Sequence, residues 1–445
     1  MNTRYLRMWL KPGMQVKRWL ALFILALIII SLGLAMGAAW IYSNFNFPKK
    51  LQPYVEWLTL QHIGHPWREM VILAFGGVVF LFTIYKLTTS LISPILAANG
   101  SGRDYADIMI EDRFGRAEPE LNVVAIGGGT GLSALLRGLK LQDVNLTAIV
   151  TVADDGGSTG RIRNVFNMPA PGDIRNCLVA MADDESLMGR LFHYRFDREG
   201  SELTGHAFGN LFITALTQVT GSFEQGVIES ARVLNVRGRV LPSTLENITL
   251  CAEMEDGQVV RGESALSHES DKITEVFLEP DAPDAYRPAL AAILNADLIV
   301  MGPGSLYTSV VPNLLVGGVR EAIRWSRAAT VYVCNVATQH GETDDMGYEE
   351  HIEQIVKYLG EGELHYTVVN SHAPKPDAIR PEWQVDPLSY DGKSQTEHGV
   401  TIVAKDVVND KNPLRHDPEK LADVLMDLAR NHKSSSFPLD TYESA

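Results

Sequence analysis

The chain has little cysteine: three residues in 445, Cys177, Cys251 and Cys334, with no Cys-x-x-Cys pair among them. Three scattered thiols argue against a disulfide framework and a cysteine-ligated zinc site, and they read as reduced, buried side chains. Basic charge is also scarce in most of the chain. Residues 121–445 carry 27 Lys and Arg against 46 Asp and Glu, a balance of −19; residues 1–120 carry 12 against 8, a balance of +4, and the two sum to the net −15. Nucleic-acid affinity comes mostly from Lys and Arg neutralising phosphates, so a body this acidic is not expected to take a nucleic-acid partner. There is no internal repeat and no low-complexity tract. What is present is ordinary for a folded protein, 46% hydrophobic and 21% charged residues, at a length beyond one typical domain.

The first hundred residues read as a membrane anchor. No charged residue occurs from Trp19 to Phe47, and the apolar run is long enough for a helix to cross a bilayer, with Trp19 and Trp40 near its ends. It is too long for the apolar part of a cleaved signal peptide, and no small-x-small cleavage site follows it. A second, weaker run starts at Met70 and passes Lys86, which can snorkel at the membrane edge. The expected spans are about 19–42 and 70–93, within an anchor of residues 1–96. Arg4, Arg7, Lys11, Lys17 and Arg18 precede the first span and keep the N-terminus inside by the positive-inside bias. The expectation is a multi-pass protein of the cell membrane with its soluble domain in the cytoplasm. Residues 97–119 are polar and glycine-bearing and read as a linker. The body spans 120–431, and 432–445 reads as a flexible tail.

Along the body, short β-rich runs alternate with helical stretches, the signature of a parallel sheet with crossover helices. Leu121–Ile126, Leu146–Val152, Asp297–Met301, Thr330–Asn335, His365–Val369 and Val400–Ala404 are nearly continuous apolar runs, as expected of strands covered on both faces. Residues 248–266 alternate around Asp256-Gly257 and predict a hairpin, a small β excursion from the sheet. The predicted fold is therefore α/β, Rossmann-like, with helices on both faces.

Six segments carry chemistry. In VVAIGGGTGLSALLRGLK, an apolar strand runs into Gly127, Gly128, Gly129, Thr130 and Gly131, and a helix follows. Glycines let the backbone approach a ligand closely, and the free amides and dipole of a helix start favour a phosphate. The second strand ends in TVADDGGSTGR, where Asp154 stands about where a dinucleotide fold places its ribose-binding acid. Asp155 beside it makes a carboxylate pair that can hold a divalent cation, while Gly156, Gly157, Ser158 and Arg161 offer phosphate donors. PAPGDIRN supplies Asp173, Arg175 and Asn176; Asp173 or Asn176 can cap the next helix, and Arg175 can clamp an anion. TGHAFGN puts His206 and Asn210 on one face of a helix start. Two later strands end in polar loops: Gly302, Gly304 and Ser305 of MGPGSLYTS form a second candidate anion nest, and CNVATQHGET carries Asn335, Thr338 and Gln339. Ligands of open α/β sheets bind outside the carboxyl ends of the strands, where all of these loops fall. No Cys/His or Ser/His pair can be placed as an activated nucleophile, so no catalytic residue is assigned.

In their order, GGGTG, ADDGGSTGR, PGDIRN, GHAFGN, MGPGSLYTS with PNLLV, and CNVATQHGET resemble the gluconeogenesis factor (YvcK-like) family, which is related to the CofD 2-phospho-L-lactate transferases. The resemblance covers about Glu120 to Arg430. It implies a Rossmann-like fold, a cytoplasmic role in central carbon metabolism, cell-wall synthesis and cell shape, and a nucleotide sugar such as UDP-N-acetylglucosamine as ligand. In the transferase branch it implies a deazaflavin that accepts phospholactate from a guanylylated donor, with a divalent metal on aspartates. Asp155 and Asp173 look most like those metal ligands, and Mg²⁺ is the candidate ion. The spelling GGSTGR and PGDIRN is closer to the gluconeogenesis factors, and the N-terminal spans depart from the simplest soluble members. Three readings stay open: a nucleotide-sugar-binding regulator, a metal-dependent phosphoester transferase, and an NAD-type oxidoreductase that rests on the glycine turn alone. A homo-oligomer is a further candidate state.

Overall fold

A computed structural model describes residues 121–435, apart from 184–186, 198–200, 267–271, 373–384, 391 and 393–394, together with residues 31, 35 and 67. The chain divides into two compact units, Met1–Arg113 and Phe114–Ala445. Apart from residues 31 and 35 the expected spans lie outside the described residues, and among the described residues no helix is long and apolar enough to cross a membrane.

The second unit opens with β1 (Asn122–Gly127), α1 (Gly129–Leu139) and β2 (Asn145–Val150). Then come α2 (Gly157–Phe166), α3 (Gly172–Met181), α4 (Leu187–His193), α5 (Phe208–Thr220) and α6 (Phe223–Val233). Next are β3 (Arg239–Pro242), β4 (Thr249–Met254), β5 (Val259–Arg261), α7 (Glu263–Leu266) and β6 (Ile273–Glu279). α8 (Arg287–Leu294) and β7 (Leu298–Met301) lead into a five-residue π-turn, Leu306–Val310, continued by α9 (Val311–Leu314). The chain goes on through α10 (Val319–Trp325), β8 (Ala329–Val333), α11 (Tyr348–Leu359) and β9 (Tyr366–Asn370). It ends with β10 (Thr396–Glu397), β11 (Val400–Lys405), the hairpin β12 (Val408–Asn409) and β13 (Asn412–His416), and α12 (Pro418–Ser435).

The main sheet has eight strands in the order β10-β11-β9-β8-β7-β1-β2-β3. Every pairing in it is parallel except that of the edge strand β10. The predicted strands are its members, and they are apolar throughout for the expected reason: Val123, Ala125, Ile126, Ile299 and Val331 are fully buried between helix layers. β1 pairs with β2 on one side and with β7 on the other, so the order reverses direction between β1 and β7. That reversal opens a crevice at the carboxyl ends of these two strands. The Asp256-Gly257 hairpin is β4–β5, and β6 adds a third antiparallel strand to that small sheet.

Candidate functional site

The loops that follow β1 and β7 meet at the reversal. α1 begins at Gly129, inside the glycine turn rather than after it. A Cβ on Gly131 would lie 2.5 Å from the Pro303 carbonyl oxygen and 2.8 Å from the Gly304 Cα, so the two loops pack backbone against backbone and only glycine fits there. Gly128 is glycine for a different reason. A Cβ there would lie 2.4 Å from an Asp173 carboxylate oxygen and 2.7 Å from the Thr151 methyl group. The Asp173 carboxylate accepts the Gly129 N–H and a bond from the Asn176 side chain. The helix start expected to await a phosphate is thus partly satisfied by the protein's own acid.

The second nest is filled more completely. Glu342, 8% exposed, accepts from the Ser305 hydroxyl and the Tyr307 N–H, from Gln339 Nε2 at 2.7 Å and from Thr308 Oγ1 at 3.4 Å. Ser305 Oγ also accepts the Thr308 N–H at 3.1 Å as a helix cap, and Asn335 Oδ1 accepts the Gly304 N–H at 3.2 Å. Burial lifts the Glu342 carboxyl to about 6 against these donors.

A cleft of about 1210 Å³ opens over both loops, larger than the roughly 300–1,000 Å³ of a drug-sized site. Of the residues singled out from sequence, Gly128, Gly129, Thr130, Gly131, Asp154, Asp173 and Asn176 line it from the β1–β2 side. Gly304, Ser305, Asn335, Thr338 and Gln339 line it from the β7–β8 side. Gly127 and Gly302 stand just behind, at the strand ends: the Gly127 carbonyl accepts Asn313 Nδ2 at 3.2 Å, and the Gly302 N–H donates to the Ile126 carbonyl.

The other expected ligand residues do not line the cleft; the fold uses them internally. Arg175 is 6% exposed, and its guanidinium donates to Asn210 and Asn176, both at 2.8 Å, so it clamps no ligand. Arg161 donates to the Thr204 carbonyl at 2.7 Å. Asp155, expected beside Asp173 as a metal ligand, turns to the small sheet instead, accepting the Ser264 N–H at 2.9 Å and leaving at Gly262 room for glycine only. The Gly156 N–H donates to Asp154, and Gly157 opens α2 at a positive φ. Ser158, His206 and Asn210 bond one another: the Ala207 N–H and Asn210 Nδ2 both donate to Ser158 Oγ, at 3.3 and 3.1 Å. The single Ser158 proton then goes to His206 Nδ1, 3.2 Å away, which fixes a neutral imidazole protonated on Nε2. Burial and Arg161 both lower the pKa of His206.

Four contributors were not picked out from sequence. Glu263 of α7 enters the floor beside Asp154 and Asp173. Its Oε2 is buried without a partner among the described residues, and burial together with Asp154 and Asp173 lifts its pKa to about 9. Burial and Asp154 lift Asp173 to about 7. Arg163, 5% exposed, donates to the Ala153 and Asp154 carbonyls at 3.0 and 3.1 Å and to Asn247, and so ties the end of β2 to the small sheet. Lys411 and Arg415 of the last hairpin line the opposite wall, where Arg415 Nη1 donates to Thr130 Oγ1 at 2.6 Å. Arg415 and Thr130 are 285 residues apart, and no local signal joins them.

A mostly parallel sheet whose glycine-rich loops border a polar cleft at the strand-order reversal defines a Rossmann-like α/β protein with a candidate ligand cleft. The chain belongs to the gluconeogenesis factor / CofD family: residues 123–408 match the family model described as 2-phospho-L-lactate transferase CofD. It is 45% identical over 312 residues to a Bacillus subtilis protein named gluconeogenesis factor, covering 69% of this chain and 98% of that one. A Nostoc sp. protein that also carries a gluconeogenesis-factor description is 42% identical over 425 residues, 94% of this chain and 91% of its own length. The crystal structure of a Bacillus halodurans protein is similar at 45% identity with a TM-score of 0.66, covering 69% of this chain and 99% of that one.

Proposed function

We propose that the cleft binds a nucleotide sugar of the UDP-N-acetylglucosamine type, and that through this ligand the protein serves central carbon metabolism, cell-wall synthesis and control of cell shape. The observation that carries the reading is the division of one cleft into two chemistries. On one wall, Lys411, Arg415 and the first turn of α1 suit phosphates. On the floor lie Asp154, Asp173 and Glu263. With Asp173 lifted to about 7 and Glu263 to about 9, the floor carries carboxyls that donate as well as accept, which matches sugar hydroxyls. A ligand with phosphates at one end and hydroxyls at the other fits both. NAD also has both, but the oxidoreductase reading has only the glycine turn behind it. Titration calorimetry on the full chain should give saturable binding of UDP-N-acetylglucosamine that survives EDTA. Arg415→Ala should weaken it roughly tenfold, as expected for a charge-assisted contact. Tight binding of NAD with no response to the sugar nucleotide would overturn the reading.

The acidic floor supports a second reading, a metal-dependent transferase acting on a nucleotide-linked donor. Asp154 and Asp173 would hold a Mg²⁺, which would neutralise charge on a transferring phosphate. Among the described residues no group of three or more His, Cys, Asp or Glu could hold a metal, so donor phosphates would have to complete the shell, as Mg²⁺ sites commonly allow. The decisive assay is Mg²⁺-dependent consumption of a guanylylated donor, lost in both Asp154→Ala and Asp173→Ala; full turnover in either variant rejects this assignment.

Membrane attachment through residues 19–42 and 70–93 belongs to the same proposal and is supported by the uncharged run from Trp19 to Phe47. Full-length protein should stay in the membrane fraction after alkaline carbonate washing, and release by that wash would refute the attachment.

A further inference from the structure

The segment Ser305-Leu306-Tyr307-Thr308-Ser309 carries three hydroxyls at one end of the cleft, and they have different fates. Ser305 and Thr308 are both bonded to Glu342 and to each other, at 2.7 Å between their oxygens. Ser309 is not. Among the described residues no hydrogen bond is made by its Oγ, although the side chain is only 7% exposed and lines the cleft. Both the Ser309 and the Val310 N–H groups donate to the Ser305 carbonyl at 3.0 Å. The Ser309 Oγ comes to rest 3.6 Å from where a Cβ on Gly129 would stand and 3.9 Å from the same point on Gly304. It therefore sits between the two glycine loops, over the N-terminus of the eleven-residue helix α1.

The Ser309 side chain is nearly enclosed, but its hydroxyl borders the cleft, so a ligand that displaces water there must supply it with a partner. The acceptor it would meet lies beside the first turn of α1, where Arg415 donates to Thr130 and where Asp173 takes only the Gly129 amide. A phosphate oxygen is the acceptor with that charge, since a sugar hydroxyl gains nothing from the helix dipole or the arginine. We propose that the Ser309 hydroxyl and the N-terminus of α1 form a phosphate subsite, with Ser309 donating to a ligand phosphate oxygen. This inference rests on the nucleotide-sugar reading above and deepens it by assigning the phosphate end of the ligand to one side chain.

The test uses the full chain and three probes: UDP-N-acetylglucosamine, UDP and uridine. Ser309→Ala should lose roughly tenfold in affinity for UDP-N-acetylglucosamine and for UDP by the same factor, the loss of one charge-assisted hydrogen bond. Uridine, which lacks the phosphates, should bind wild type and variant alike, and Ser309→Thr, which keeps the hydroxyl, should recover most of the UDP affinity. Equal affinity of Ser309→Ala and wild type for UDP overturns the subsite and leaves the nucleotide-sugar reading standing. A loss that extends equally to uridine, or that follows a lowered unfolding temperature, overturns it too by assigning Ser309 to the fold. If the wild-type chain binds neither sugar nucleotide nor UDP, both readings fall together.

Discussion

Two helix starts face each other across the cleft, and each receives a carboxylate from elsewhere in the chain. At the π-turn, Glu342 is held by a hydroxyl, a backbone amide, a second hydroxyl and an amide side chain, and it is almost wholly buried. At α1, Asp173 takes one backbone amide and one side-chain donor, keeps a minor part of its surface open to the cleft, and sits near a second acid, Asp154. The first arrangement leaves only the Ser309 hydroxyl over for a ligand; the second leaves the rest of the turn available. Two glycine motifs of nearly equal appeal in the sequence thus separate into a loop closed by its own acid and a turn open to the cleft. What separates them is how many donors the fold has already spent.

The largest test of this contrast joins the two loops. Gly131→Val drives a side chain into the Pro303 carbonyl and the Gly304 Cα, both backbone, so the strain has no flexible group to move. It should cost more than about 3 kcal/mol of unfolding free energy and abolish ligand binding, as read by denaturant titration and calorimetry. Next in size is Glu342→Ala, which leaves buried donors on Ser305, Thr308, Gln339 and Tyr307 without their acceptor. A loss of about 2–3 kcal/mol is expected. Near pH 4 Asp173→Asn should change stability by less than about 1 kcal/mol, because the folded carboxyl is already neutral there and the amide replaces it with little change in charge. Should the two acid variants destabilise equally, the contrast between a closed loop and an open turn is lost.

The last test is a slope. Asp173 titrates at about 7 in the folded chain against an ordinary 3.8, so between these values the folded state holds a proton the unfolded chain has lost. Stability contributed in this way is greatest at low pH and falls as pH rises through that window. Unfolding midpoints of wild type and Asp173→Asn between pH 4 and 7 should differ in slope, with the variant flatter. Parallel profiles would show that the Asp173 carboxyl titrates normally.

Much of the fold was legible because its signals are local. Buried parallel strands are continuous apolar runs, and the predicted runs became the main sheet from β1 to β11. The short edge strand β3 and the half-exposed β6, whose side chains alternate only loosely, gave no such run. In the site, the glycine loops and Asp154 could be read because a strand end followed by glycines is a local pattern. What the side chains do there could not. Arg175 and Arg161 looked like anion clamps, yet an arginine's partner depends on which carbonyl or amide lies nearest in space, and here these are Asn210, Asn176 and the Thr204 carbonyl. Arg415 drew no notice because its partner Thr130 lies at the other end of the body. The acidic balance of the body pointed away from anion binding in bulk, while two cations brought to one wall suffice for it locally.

The close fit of α1 to α12 has a consequence for how the protein is made. A Cβ on Gly138 would lie 1.9 Å from the Pro418 carbonyl oxygen, so the first helix of the body and the last lie against each other, and the hairpin that carries Lys411 and Arg415 leads directly into that contact. Of the segments that line the cleft this hairpin is therefore the last to be synthesised. A chain cut just before Lys411 keeps every glycine motif and loses both cations of this wall, so the glycine motifs by themselves do not make the whole cleft.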